Sequence, residues 1–270
     1  YRWSPIGSMA DLSAASLDDV KSFFRQYYAP NNAYLALAGD FDEKQAKNWI
    51  EKYFGPIAKG ADITRPNAPQ PKLNGEVRQV VNEPGIPLPR LYMLWPGVHT
   101  YHKDEAALDI LASILSTGRG SRLQSNLVFG KELAQTVGAF DGTSEIAGSF
   151  QIVATARPQK SLEDIEKEIN IELERIKKEQ PTAEEMTRAL NIRESQAIFG
   201  LQTVLGKGGQ LAGYAGYLKK PNYFQADIDR YRAVTPADVT RVANEYLTGN
   251  RFVMSYIPSK AEPPKASTDK

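Results

Sequence analysis

The chain has 270 residues, 41% of them hydrophobic and 24% charged, with a net charge of +1 and no cysteine. That balance fits one large or two ordinary globular domains. The net charge gives no argument for a nucleic-acid partner or for electrostatic binding to an anionic membrane, the lack of cysteine excludes disulfides and thiolate metal sites, and no apolar run reaches the roughly 18 residues of a membrane-spanning helix.

Tyr1 to Ala10 is aromatic and irregular, with a turn at Pro5 to Gly7. It opens without a methionine and reads as part of a longer chain. Ser16 to Phe41 reads as helix, turn and strand. Ser16 can accept an unpaired amide of the first turn, and Asp18 and Asp19 follow where the helix dipole favours negative charge. Val20, Phe23, Phe24 and Tyr27 recur at three and four residues, the spacing of one helix face. Ala29-Pro30-Asn31-Asn32 stops the helix. Tyr34 to Ala38 is expected as a short strand. Asp42 caps a further helix, Glu43 to Phe54, with Ala46, Trp49, Ile50 and Tyr53 on its apolar face.

Residues 58–75 carry three prolines and read as a linker between a first domain part, 1–57, and a second subdomain, 76–260. Within the second, Glu76 to Asn82 and Arg90 to Trp95 are predicted strands, the latter central in a sheet. A helix from Asp104 to Ser116 turns Ala107, Leu108, Leu111, Ile114 and Leu115 inward. The loop Thr117-Gly118-Arg119-Gly120 leads to a second helical piece, Ser121 to Glu132. Gln135 to Phe140 and Ser149 to Ala156 form a predicted hairpin, with Asp141-Gly142 opening the connection. Ser161 to Glu179 is a long helix with Ile165, Ile169, Leu173 and Ile176 as its stripe. Thr182 and Glu185 make a capping box for the next helix. Residues 200–218 are glycine-rich, apolar and helical in parts, and residues 261–270 read as a disordered tail.

Thr235 to Tyr256 repeats the first unit. A shift of 219 positions lays Asp19 on Asp238, Val20 on Val239, Tyr27 on Tyr246 and Asn31 on Asn250. A duplicated αβ module follows, although two unrelated units of the same type would look alike. The architecture expected is α+β, with duplicated αβ subdomains and a mixed or antiparallel sheet carrying helices on one face.

The residues alone offer little chemistry. His99, His102 and Glu105 have metal-ligand spacing, but both histidines precede the helix beside Pro96-Gly97, which favours a solvated loop over a zinc site. There is no Gly-x-Ser-x-Gly elbow. Gly200 to Gly208 fails as a phosphate loop, with five residues between its glycines and no Ser or Thr after Lys207. Gly118 to Ser121 precedes a helix and could present free amides to an anion, or be a plain turn. The carboxylates of Glu163 to Glu185 read as a solvated face, with Glu174 and Lys178 as one i,i+4 pair.

Three stretches carry a family resemblance: YRWSPIGSMADL at the start, FFRQYYAPNNAYLALAGDFD with the helix ending KYFGPI, and LASILSTGRGSRLQSNLVFGKELAQTV. Their order and spacing over residues 1–258 resemble the pitrilysin/insulysin family of zinc metallopeptidases, in its part downstream of the zinc-binding segment. The resemblance implies repeated αβ subdomains that close as halves around an unfolded peptide. It places residues 1–57 in the C-terminal part of the zinc-bearing type of subdomain. It also implies substrate contact at Gly118, Arg119, Gly120 and Ser121 and at Thr136, Val137, Gly138 and Ala139, where small residues and an edge strand admit a peptide backbone. The family's His-x-x-Glu-His is absent. No catalytic residue, metal ligand or cofactor is therefore expected in this chain, and zinc is expected only in a full-length parent that contains it. A metalloendopeptidase part that encloses and grips peptide, with proteolysis needing the upstream zinc half-domain, is the first functional expectation. A non-catalytic scaffold or partner subunit that binds peptide or protein is the second. The remaining half-domains or a partner subunit are the expected protein partners, and the absence of cysteine leans toward the periplasm.

Overall fold

A computed structural model describes residues 5–65 and 68–259; the tail expected at 261–270 lies outside them. In chain order the described elements are α1 (Met9–Ala14), α2 (Leu17–Tyr27), α3 (Glu43–Phe54), β1 (Val77–Pro84), β2 (Arg90–Gly97), α4 (Glu105–Ser116), a π-type turn (Gln124–Gly130), β3 (Ala134–Gly142), β4 (Gly148–Ala156), α5 (Leu162–Lys178), α6 (Ala183–Gly200), α7 (Val204–Leu218), α8 (Phe224–Arg232), α9 (Pro236–Tyr246) and β5 (Phe252–Ser259). They form two compact units. One holds the described residues up to 65 together with residues 200–223, and the other holds those of 68–199 and 224–259.

In the first unit Ser16 caps α2 as its sequence requires. Its Oγ accepts the Asp19 N–H at 3.2 Å and its own N–H reaches the Asp19 carboxylate at 2.9 Å. Asp42 caps α3 by accepting the Gln45 N–H at 2.6 Å. Yet Val20, Phe23, Phe24, Trp49 and Tyr53 are all exposed. Tyr34 to Ala38 is not a strand: no described strand pairs with it, and without a ladder partner a strand-forming sequence is only an irregular segment.

The second unit is a five-stranded mixed sheet in the order β1-β5-β2-β4-β3. β1 and β5 run parallel, and the other neighbours are antiparallel. Strand alternation sorts the faces. Leu91, Met93 and Trp95 of the central β2, with Phe150, Ile152 and Ala154 of β4, are buried on the face covered by α5 and α9, and α4 packs on β3. The helix faces read from periodicity are the buried ones: Ala107, Leu108, Leu111, Ile114 and Leu115 in α4, and Ile165, Ile169, Leu173 and Ile176 in α5. Each leucine and isoleucine among them contributes about 1.5–3 kcal/mol on leaving water. Glu174 pairs with Lys177 at 2.8 Å rather than with Lys178.

α9 repeats the capping box of α2. Thr235 Oγ1 accepts the Asp238 N–H at 3.2 Å, and Asp238 accepts the Thr235 N–H at 3.0 Å. Here the apolar face, Val239, Val242 and Ala243, is buried, and the strand that follows joins the sheet as β5. The end of α4 nearest α9 is held by Asp104, which accepts from Arg241 at 2.7 Å and from the Tyr246 hydroxyl at 2.8 Å. No described helix is long and apolar enough to cross a membrane.

Candidate functional site

The two stretches singled out in the sequence meet at one edge of the sheet. Among the described residues β3 is the terminal strand, paired only with β4. Ser116, the last residue of α4, takes the Ala139 N–H on its Oγ at 2.7 Å and donates that hydroxyl to the Ala139 carbonyl at 3.3 Å. Gln124, on the other side of the loop, donates its amide to the Val137 carbonyl at 2.8 Å. The Gly118–Ser121 loop is therefore tied at both ends to the open edge of β3.

Within that loop the residues differ in what they can do. Gly118 sits at φ +82°, a left-handed conformation that suits glycine. Ser121 is fully buried, and both its N–H and its hydroxyl donate to the Gly118 carbonyl, at 3.1 and 2.7 Å. It closes the turn and its amide is not free for an anion. Arg119 and Gly120 are exposed, and the Arg119 guanidinium lies 4.4 Å from the centre of the Phe129 ring. In β3, Thr136 faces out, whereas the Val137 and Ala139 side chains are buried. Gly138 lies under Phe140, and a Cβ there would come within 2.7 Å of that ring. Of the edge groups, the Val137 carbonyl and both Ala139 backbone groups already have side-chain partners.

The histidine cluster does not converge. Glu105 accepts from Arg230 at 3.0 Å, from the Tyr101 N–H at 2.9 Å and from Thr143 at 3.1 Å. His102 stands 3.8 Å from Asp104, and burial holds its pKa below the ordinary value despite that carboxylate. Among the described residues no group of three histidine, aspartate or glutamate side chains could hold a metal ion. The residues of this chain do not fit a catalytic zinc, because the sequence has two histidines, one used in a turn hydrogen bond to a neighbouring carbonyl, and no His-x-x-Glu-His.

A second feature was not visible in the sequence. A cavity of about 240 Å³ opens between α4, β3 and α6, lined among others by Asp109, Ser113, Asp141 and Arg193. Asp109 accepts from the Tyr231 hydroxyl at 2.6 Å, and Arg193 stacks 4.2 Å from the Tyr231 ring centre. Burial raises the Asp109 pKa, with the Tyr231 hydrogen bond opposing it. Burial, together with the Asp109 and Glu105 charges, pushes Asp141 up to about 8. Asp141-Gly142 read as a turn in the sequence, and nothing local marks the carboxylate as buried.

A family model described as the peptidase M16 inactive domain matches residues 14–193. The zinc protease PqqE of Helicobacter pylori is 32% identical over 254 residues, covering 92% of this chain and 56% of that protein. An uncharacterized zinc protease of Streptomyces coelicolor is 25% identical over 264 residues, covering 93% of this chain and 55% of its own length. This chain thus spans about half the length of the curated relatives it matches. The crystal structure of a protease from Helicobacter pylori superposes with a TM-score of 0.81 at 28% identity, covering 96% of this chain and 63% of that one. A peptidase M16 inactive domain from Pseudomonas fluorescens, 20% identical and covering 97% and 62%, shares the fold with a TM-score of 0.77. The chain belongs to the pitrilysin-type M16 peptidase family, in the inactive domain that lacks His-x-x-Glu-His.

Proposed function

We propose that this chain is the non-catalytic region of a zinc metalloendopeptidase and helps to enclose and grip an unfolded peptide substrate. Proteolysis then requires an upstream half-domain carrying zinc in the longer protein. The observation that carries the reading is the Gly118–Ser121 loop tied to the open edge of β3. A peptide laid there meets Gly118, Arg119 and Gly120 on one side and Thr136 to Ala139 on the other. Small residues admit its backbone, and the edge groups of Val137 and Ala139, once released from their side-chain partners, hold it by main-chain hydrogen bonds. The Ser116 and Gln124 side chains now on that edge must yield to such a peptide, so the grip is selective for extended chains that supply both donors and acceptors.

The test uses the full-length parent. Zinc content, and kcat and KM on an unstructured peptide, are measured for the parent and for its Arg119→Ala and Gly120→Val variants. The expected result is unchanged zinc, a KM raised severalfold and a kcat nearly constant, as when uniform binding is removed. Unchanged KM in both variants would remove the loop from the substrate path. A parent without zinc or activity would leave the family fold as a binding scaffold.

A further inference from the structure

The face of β3 opposite the buried Val137 and Ala139 presents Thr136, Gly138, Phe140 and Gly142 in alternation. Phe140 is the large apolar side chain of that row, and it is 56% exposed. Its ring folds back along the strand into the space a Gly138 side chain would fill, with Cζ 2.7 Å and Cε2 3.0 Å from that Cβ position. The register sets Val153 of β4 behind Gly138, and Tyr92 of β2 behind Val153, both half-buried. The flanking positions of β4, Gln151 and Thr155, are polar. The apolar surface is thus a spot centred on Gly138, not a whole sheet face.

Backbone direction brings this spot to the open edge. The Val137 carbonyl and both Ala139 backbone groups point away from β4, where they meet the Gln124 and Ser116 side chains. Gly138, between them, turns its own groups toward β4. For a strand added antiparallel to β3, Gly138 is then a non-hydrogen-bonded position. Facing Cα atoms approach to about 4.5 Å at such positions, and the side chains there are closest.

We propose that this spot selects the peptide: the strand added to β3 carries a large apolar side chain, best an aromatic one, opposite Gly138 and seated on the Phe140 ring. This selection rests on the peptide grip and gives it a substrate class. Any side chain at 138 would stand between the ring and the incoming residue, whereas glycine leaves the ring as a floor. The exposed part of that ring is apolar area that an apolar partner removes from water. An aromatic partner adds an offset or edge-on ring contact. A glutamate there would cover the ring with a charge that has lost its water. Farther along the same face the peptide passes Thr136, where a polar side chain fits.

The test is isothermal titration of the intact chain with serine- and threonine-rich peptides that carry phenylalanine, alanine or glutamate at one central position. The phenylalanine peptide is expected to bind about tenfold more tightly than the alanine peptide, and the glutamate peptide no better than alanine. Phe140→Ala should bring the phenylalanine peptide down to the affinity of the alanine peptide, and Phe140→Tyr should keep the preference, with native circular dichroism in both. Gly120→Val should weaken all three peptides alike, because it obstructs the backbone path. Equal affinity for the three peptides, all weakened by Gly120→Val, overturns the selection and leaves the grip standing. A phenylalanine preference that survives in folded Phe140→Ala also overturns it. No binding of any peptide at millimolar concentration overturns grip and selection together. Sedimentation of the chain alone covers the other occupant: a dimer that Phe140→Ala dissociates and peptide does not would assign the spot to a second copy and overturn the proposal.

Discussion

Asp104 and Asp141 are both buried carboxyl groups in the second unit, and they respond to pH in opposite directions. Burial alone would raise Asp104, but the hydrogen bonds from Arg241 and Tyr246 outweigh it and hold its pKa below the ordinary value. Its stabilising contribution is present above the unfolded pKa near 3.9 and is lost as the pH falls through the lower folded value. Asp141 has no such donors and is pushed up to about 8. Between about pH 4 and pH 8 the folded state therefore holds one proton more than the unfolded chain. Raising the pH through that window destabilises the fold, by at most roughly 1.4 kcal/mol per pH unit for this one group. Denaturant unfolding at pH 5, 6, 7 and 8 should show wild-type stability declining with pH relative to Asp141→Asn, whose amide cannot titrate. Parallel curves for the two proteins would mean that Asp141 ionises freely. Asp104→Ala should cost about 3 kcal/mol at neutral pH, because it strips Arg241 and Tyr246 of their buried partner.

The elements read most surely from sequence were those whose pattern is local. The inner faces of α4 and α5 follow from 3.6-residue periodicity, and the caps at Ser16, Asp42 and Thr182 follow from side chains that reach three residues ahead. α8 escaped because Phe224–Arg232 is rich in charge and lacks an apolar run. The cavity escaped because Asp109, Asp141, Arg193 and Tyr231 lie on four elements far apart in the chain, and only tertiary packing brings them together. The candidate edge lies between these extremes. The hairpin of β3 and β4 was legible, but the closure of β3 by Ser116 and Gln124 was not, since each joins residues 13 to 23 positions apart. Ser116→Ala leaves the buried Ala139 N–H without an acceptor and should cost about 1–3 kcal/mol. Hydrogen exchange checks the site of the loss: the Ala139 amide should exchange faster by a factor of ten or more, while the β2 amides change only with global stability. Unaltered protection at Ala139 would mean that another group takes over the cap.

At the scale of the whole molecule, the duplicated module acts as its own control. α2 and α9 have the same capping box, the same face spacing and a following segment of strand-like sequence. In α9 the face is packed and the segment is a sheet strand; in α2 the face is exposed and the segment is unpaired. The difference lies in what surrounds each copy, because helix propensity and capping are alike and only tertiary burial separates them. Relatives about twice as long contain residues beyond those that this chain matches. Val20→Ala and Val239→Ala, at matching positions, measure this directly. In this chain Val20→Ala should change stability by less than about 0.5 kcal/mol, since an exposed methyl pair contributes little. Val239→Ala should cost about 2 kcal/mol for lost burial and the cavity left behind. In the longer protein the cost of Val20→Ala should rise toward that of Val239→Ala if the first module is completed by residues outside this chain. Should it stay near zero there, the apolar face of α2 remains bare in the full molecule, and the duplication would be one of sequence and capping without a shared mode of packing.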